Sequence, residues 1–247
     1  MKKLIALLMV LALAVSFAAC GTTEPAPTEP ATEPADEIAA MSYEEFMAAE
    51  TDAEVTVVTY VQATQSWWND QITVYAQGPD GAYFLYNMAC SEEDAAKLIP
   101  GTKIVVTGVK AVWSGEVEIM EATFEFVEDG DTFIADATDV TALLGTDALE
   151  AEMNKFVSFT GLTVEAANEA GDAFLYNWDG SGEAGSDCDL YFTAGGTTFV
   201  IEYYLTGADS EAYQAVQNLK VGDTINMEGF LYWYEGPQAH ITSVTVQ

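Results

Sequence analysis

Five tryptophans occupy only two kinds of place in this 247-residue chain. Trp67 and Trp68 lie between two β-rich segments of the first half, and Trp178 lies in the corresponding, longer connection of the second half. Trp113 and Trp233, the latter followed by Tyr234, end alternating apolar segments just before a glycine turn. Rings held in turns do stacking chemistry, because an indole face packs against flat or apolar ligand faces, sugars included. Asp70, Glu116, Asp179 and Glu235 stand beside these rings as acceptors for hydroxyl or ammonium donors. Indole and carboxylate together, in a chain without arginine, point to a glycan, a cell-wall fragment, an amine or a basic peptide. Trp67, Trp68, Trp113, Trp178, Trp233 and Tyr234 are therefore the candidate ligand-binding residues. The same rings would serve equally well to plug the ends of a fold or to bury a contact between its halves, since large aromatics are mostly core.

Reaction chemistry finds little support. The single histidine, His240, alternates with Ile241, so neither a histidine zinc cluster nor a Ser-His-Asp pattern can be composed. No glycine loop suited to cradling phosphate is present, and carboxylate pairs for glycoside cleavage depend on separations that sequence does not display. Residues 179–189 offer hard oxygen ligands to calcium but lack EF-hand spacing, so no metal site is assigned. The expected protein is not an enzyme and carries no cofactor. Cys90 and Cys188 fall one in each half, equally compatible with a bridge between halves or with two buried thiols.

The elements that must position these residues come as a repeat. Residues 98–126 recur at 219–247, with Leu98, Gly101, Ile104, Gly108 and Gly115 falling on Leu219, Gly222, Ile225, Gly229 and Gly236. Repetition of a supersecondary unit decides architecture first. Each copy reads strand, strand, strand, helix, strand, strand, with helices marked by N-cap serines at Ser91 and near Ser210. Ser42 and Glu45 add a capping box ahead of the first copy. Residues 132–135 read as an added edge strand, and the surplus loop 166–189 leaves room for an extra hairpin using the Phe174–Asn177 stretch.

A five-stranded unit with its helix between strands three and four, and a glycine inside strand four (Gly108, Gly229), resembles the OB-fold. The resemblance covers roughly residues 50–135 and 153–247. It implies a mainly β chain of two tandem five-stranded OB-like barrels, each with one short helix between strands 3 and 4. It also places the tryptophan-bearing connections beside the face on which OB-folds hold oligonucleotides or oligosaccharides. An immunoglobulin-like sandwich would want about seven strands and no helix in the middle.

The N-terminus supplies an address. Lys2 and Lys3 precede an apolar run too short to cross a bilayer, and Ala18-Ala19-Cys20 resembles the lipobox of bacterial lipoproteins. That resemblance implies a signal peptide over 1–19, diacylglyceryl and fatty acyl (palmitate) chains on Cys20, and a protein anchored in the lipid bilayer at the extracellular face of the cell membrane. Residues 20–41, rich in Thr, Glu and Pro, read as a disordered stalk. The first module then spans 42–137, a helical linker 138–152, and the second module 153–247. Loss of Lys2 and Lys3 with the signal takes the formal charge from −33 to −35. A polyanion of this kind is expected to repel phosphate backbones, so nucleic acid is set aside as a partner, while glycans and cationic peptides are retained. The competing expectation is a structural or accessory subunit of a cell-envelope complex, with its aromatics in a protein interface and its protein partner unknown.

Overall fold

The computed structural model describes residues Ala39–Gln247; the expected signal, Cys20 and most of the stalk lie outside the described residues. Ser42 accepts the Glu45 N–H and Glu45 returns the bond to the Ser42 N–H, so α1 (Tyr43–Ala48) begins on the expected capping box. Its far end is held by Lys110, whose ammonium donates to the carbonyls of Phe46, Met47 and Ala49. Phe46 alone of α1 is pushed into the core, so a helix that otherwise lies on the surface is pinned by one plugging ring.

The first barrel is made of β1 (Glu54–Thr64), β2 (Gln71–Gln77), β3 (Ala82–Ala89), β4 (Lys103–Trp113) and β5 (Glu116–Phe126), with α2 (Glu92–Ala95) between β3 and β4. The ring runs β1-β2-β3-β5-β4 and closes where β1 pairs with β4; only β3 and β5 are parallel. Alternation does the sorting: Val55, Val57 and Val61 of β1 meet Ile104 and Val106 of β4 inside, and closure removes the sheet edges.

The second barrel repeats that ring. After β6 (Thr138–Asp139) and two 3-10 turns come β7 (Phe156–Glu165), β8 (Phe174–Tyr176), β9 (Leu190–Ala194), β10 (Thr197–Ile201), α3 (Tyr203–Thr206), α4 (Glu211–Gln217), β11 (Thr224–Trp233) and β12 (Pro237–Val246). The order β7-β11-β12-β10-β9 closes through β7–β9, so β7, β9, β10, β11 and β12 match β1 to β5 one for one. The chain is thus mainly β, two five-stranded OB-like barrels in tandem. The repeated glycines have a mechanical cause. A β-bulge interrupts the β4–β5 pairing at Gly108 and the β11–β12 pairing at Gly229, and a Cβ on either glycine would collide with the backbone of the partner strand.

Three local details differ from the sequence reading. The apolar stretch 197–205 reads as one strand, but residues 203–206 leave the sheet as α3, because the Tyr203 N–H is captured by Asp189 and the Thr206 N–H turns back to Glu202. Two short helices rather than one therefore link β10 to β11. Residues 132–135 form no strand, since the Gln62 side-chain amide supplies both partners, donating to Phe133 O and accepting from Ala135 N.

A shared aromatic cluster joins the barrels. Tyr75 stacks on Phe230 at 4.6 Å between centroids, and Phe84 meets Tyr232 edge-on at 5.1 Å. Backbone groups also cross the seam: Ser66 N donates to Tyr204 O at 2.7 Å and Glu235 N to Ser114 O at 2.7 Å. Cys90 and Cys188 are buried free thiols, each within its own barrel.

Candidate functional site

A cleft of about 730 Å³ opens along the seam between the barrels, within the roughly 300–1,000 Å³ usual for small-molecule sites. Its floor is polar and mostly buried. Glu202, the residue between β10 and α3, accepts the Tyr75 hydroxyl at 2.8 Å and the Gln65 amide at 2.6 Å. His240 on β12 sets Nδ1 at 2.6 Å from the same hydroxyl and 3.3 Å from Glu202 Oε2, while Tyr232 stacks on its ring at 4.4 Å. The first barrel gives Gln65 and Tyr75 to this network and the second gives Glu202 and His240.

Electrostatics follow from that wiring. Burial alone would raise the Glu202 carboxyl, but the charge of His240 and the hydrogen bonds from His240, Tyr75 and Gln65 hold it below its ordinary value. Asp189 at the side of the cleft goes the other way: burial pushes it up, and the neighbouring Glu202 charge adds to that despite a bond from the Tyr203 N–H. Burial likewise raises the Tyr75 hydroxyl well above its usual range, so it stays a proton donor.

Walls of stacking rings rise from this floor. Trp113, Trp178 and Tyr234 line the cleft and are 61, 76 and 47% exposed, so their faces meet solvent. They come from the last residue of β4, the connection after β8 and the turn between β11 and β12, places that turn chemistry and aromatic content had marked. Glu235 lines the cleft beside Tyr234.

The remaining candidates divide. Trp68 is 78% exposed but stands in an adjoining cavity, outside the lining of this cleft. Trp67 is spent on the first core, its Nε1–H donating to Cys90 O at 2.9 Å. Trp233 is half-buried against Gly115, where any Cβ would strike the indole, and its backbone N–H goes to Glu116 Oε2 at 2.8 Å. Glu116 is accordingly no acceptor for a ligand. It is fully buried, Oε1 has no partner, and burial with Glu118 nearby pushes the carboxyl up to about 8. Asp70 and Asp179 lie outside the cleft lining. Among the described residues no group of three or more His, Cys, Asp or Glu side chains is arranged to hold a metal. Sequence reasoning missed Glu202, Tyr75, Gln65 and Asp189; the one available signal was a lone histidine beside an apolar residue.

No protein-family model matches the chain, and no curated protein does either. Among solved structures, the crystal structure of the tetrameric p202 HIN2 is similar at 13% identity and a TM-score of 0.31, covering 80% of this chain and 95% of that one. A murine DNA binding protein bound with double-stranded DNA is similar at 9% identity and a TM-score of 0.34, covering 78% of this chain and 94% of that one. The exclusion of nucleic acid drawn from net charge is corrected by this finding: a chain of similar structure is recorded on duplex DNA, so charge alone does not remove that class of partner.

Proposed function

We propose that the protein is a non-enzymatic binding protein of the bacterial cell surface, tethered through acylated Cys20, that takes a saccharide into the cleft between its barrels. The observation that carries this reading is the cleft itself: solvent-facing Trp113, Trp178 and Tyr234 above a floor of Glu202 and His240, both hydrogen-bonded to Tyr75 beneath it. Sugars present an apolar face for stacking and a rim of hydroxyls, and the cleft offers both complements in a preformed geometry. The floor groups satisfy one another, so they serve as a fixed polar template with no free nucleophile beside them.

Residues 39–247, screened against an array of plant, microbial and amino-sugar glycans, should give saccharide-dependent quenching of tryptophan fluorescence. Trp178→Ala and Trp113→Ala should each weaken binding by roughly tenfold or more without lowering the melting temperature. Absence of any response across the array, or full affinity in both variants, rejects the site. The anchor is tested separately: Cys20→Ala should move the protein from the membrane fraction to the medium.

A further inference from the structure

The cleft does not stand alone. A cavity of about 540 Å³, bordered by Trp68 and Tyr204, shares Gln65 and Asn87 with it at one end. A third, of about 470 Å³, shares Trp178, Tyr191, Tyr234 and Gln238 at the other. The three form one groove that starts at the β1–β2 connection of the first barrel, passes over the seam, and ends on the β9–β10 face of the second.

The rings along it are the decisive observation. Among the described residues six aromatic side chains are exposed: Trp68, Tyr86, Trp113, Trp178, Tyr204 and Tyr234. All six line these cavities. A compact ligand would engage the rings of one cavity and leave the others wet. Exposed aromatics confined to one track suit a partner that presents apolar faces repeatedly along its length. Between the rings stand amides and carboxylates, Asn87, Gln238, Asp187 and Glu235 among them, and the lining contains no lysine or arginine. That set exchanges hydrogen bonds with hydroxyls. The far end is also rigid, because Ser66 N and Oγ both donate to Tyr204 O across the seam, so little ordering remains for binding to impose.

We propose, building on the saccharide reading above, that the ligand is a linear oligosaccharide laid across both barrels in three adjoining subsites. Its central unit rests on the Trp113–Trp178–Tyr234 cleft, and one flanking unit stacks between Trp68 and Tyr204. Isothermal titration of residues 39–247 with β-glucan and chitin-type ladders of two to six units tests it, beside oligothymidylates of matching length.

The expected result is affinity that climbs roughly tenfold or more from two units to the longest that fits, then levels off. Trp68→Ala with Tyr204→Ala should abolish that climb and leave the shortest binder unchanged, whereas Trp178→Ala should weaken every member. Equal affinity for two and six units overturns the extended groove while leaving the central cleft intact. Tighter binding of oligothymidylate than of any saccharide overturns the saccharide class, and no saccharide binding at any length removes both readings.

Discussion

The seam between the barrels buries carboxyls at two places, and the two behave in opposite ways. At one, Glu202 is surrounded by His240, Tyr75 and Gln65 and stays ionised. At the other, Glu116 receives one backbone N–H from Trp233, leaves Oε1 bare, has Glu118 for a neighbour, and holds its proton to about pH 8. Partners decide the outcome more than depth does: a carboxylate with an imidazole and two donors beside it is tolerated inside, and one without them is kept neutral. The Glu202 end faces the cleft, whereas the Glu116 end is closed against the backbone of the neighbouring turn, so the ionised group lies where a ligand can meet it.

The strongest way to break this contrast is to remove the imidazole. His240→Leu leaves Glu202 charged and short of a partner, which should destabilise the fold by about 3–5 kcal/mol in urea unfolding at neutral pH. Glu202→Gln should lose clearly less, and an equal loss would mean that the pair is not the source of the effect.

Glu116→Gln comes next and sharpens the contrast through its pH dependence. The folded state binds this proton more tightly than the unfolded state, whose carboxyl titrates near its ordinary 4.5. The contribution is therefore full below that value and declines as pH rises towards about 8, by about 3–5 kcal/mol in all. The variant should match wild type in urea midpoint at pH 4 and exceed it at pH 8. Glu202 runs in reverse: its depressed value gives stability present above the ordinary carboxylate range and lost as pH falls through the folded value. A wild-type midpoint flat from pH 5 to 8 would contradict the Glu116 part.

The smallest effect belongs to Gln65→Ala, which deletes one hydrogen bond to a charged group. A loss of about 1.5–3 kcal/mol in the same assay, with the Tyr75 and His240 contacts still in place, is expected.

The sequence displayed the barrels more clearly than the cleft. Gly108 and Gly229 mark bulges because only a residue without Cβ permits that approach of strands, a requirement written at a single position. Ser42, Ser91 and Ser210 mark helix starts for an equally local reason, a hydroxyl accepting a nearby N–H. Trp113, Trp178 and Tyr234 were visible as aromatics in or beside turns, but their spent counterparts Trp67 and Trp233 look the same in sequence and differ only in what their neighbours leave open. The floor was invisible. Tyr75 and His240 are 165 positions apart and meet only when one barrel is laid against the other, an orientation no local pattern encodes.

Gly115 pressed against the Trp233 indole, with Glu235 N bonded to Ser114 O, ties the tip of one barrel's hairpin to the other's. The consequence is evolutionary. Although the halves share one topology, neither is a portable cassette: cutting them apart would bare Tyr75, Phe84 and Phe230 to water, so recombination must inherit the pair intact.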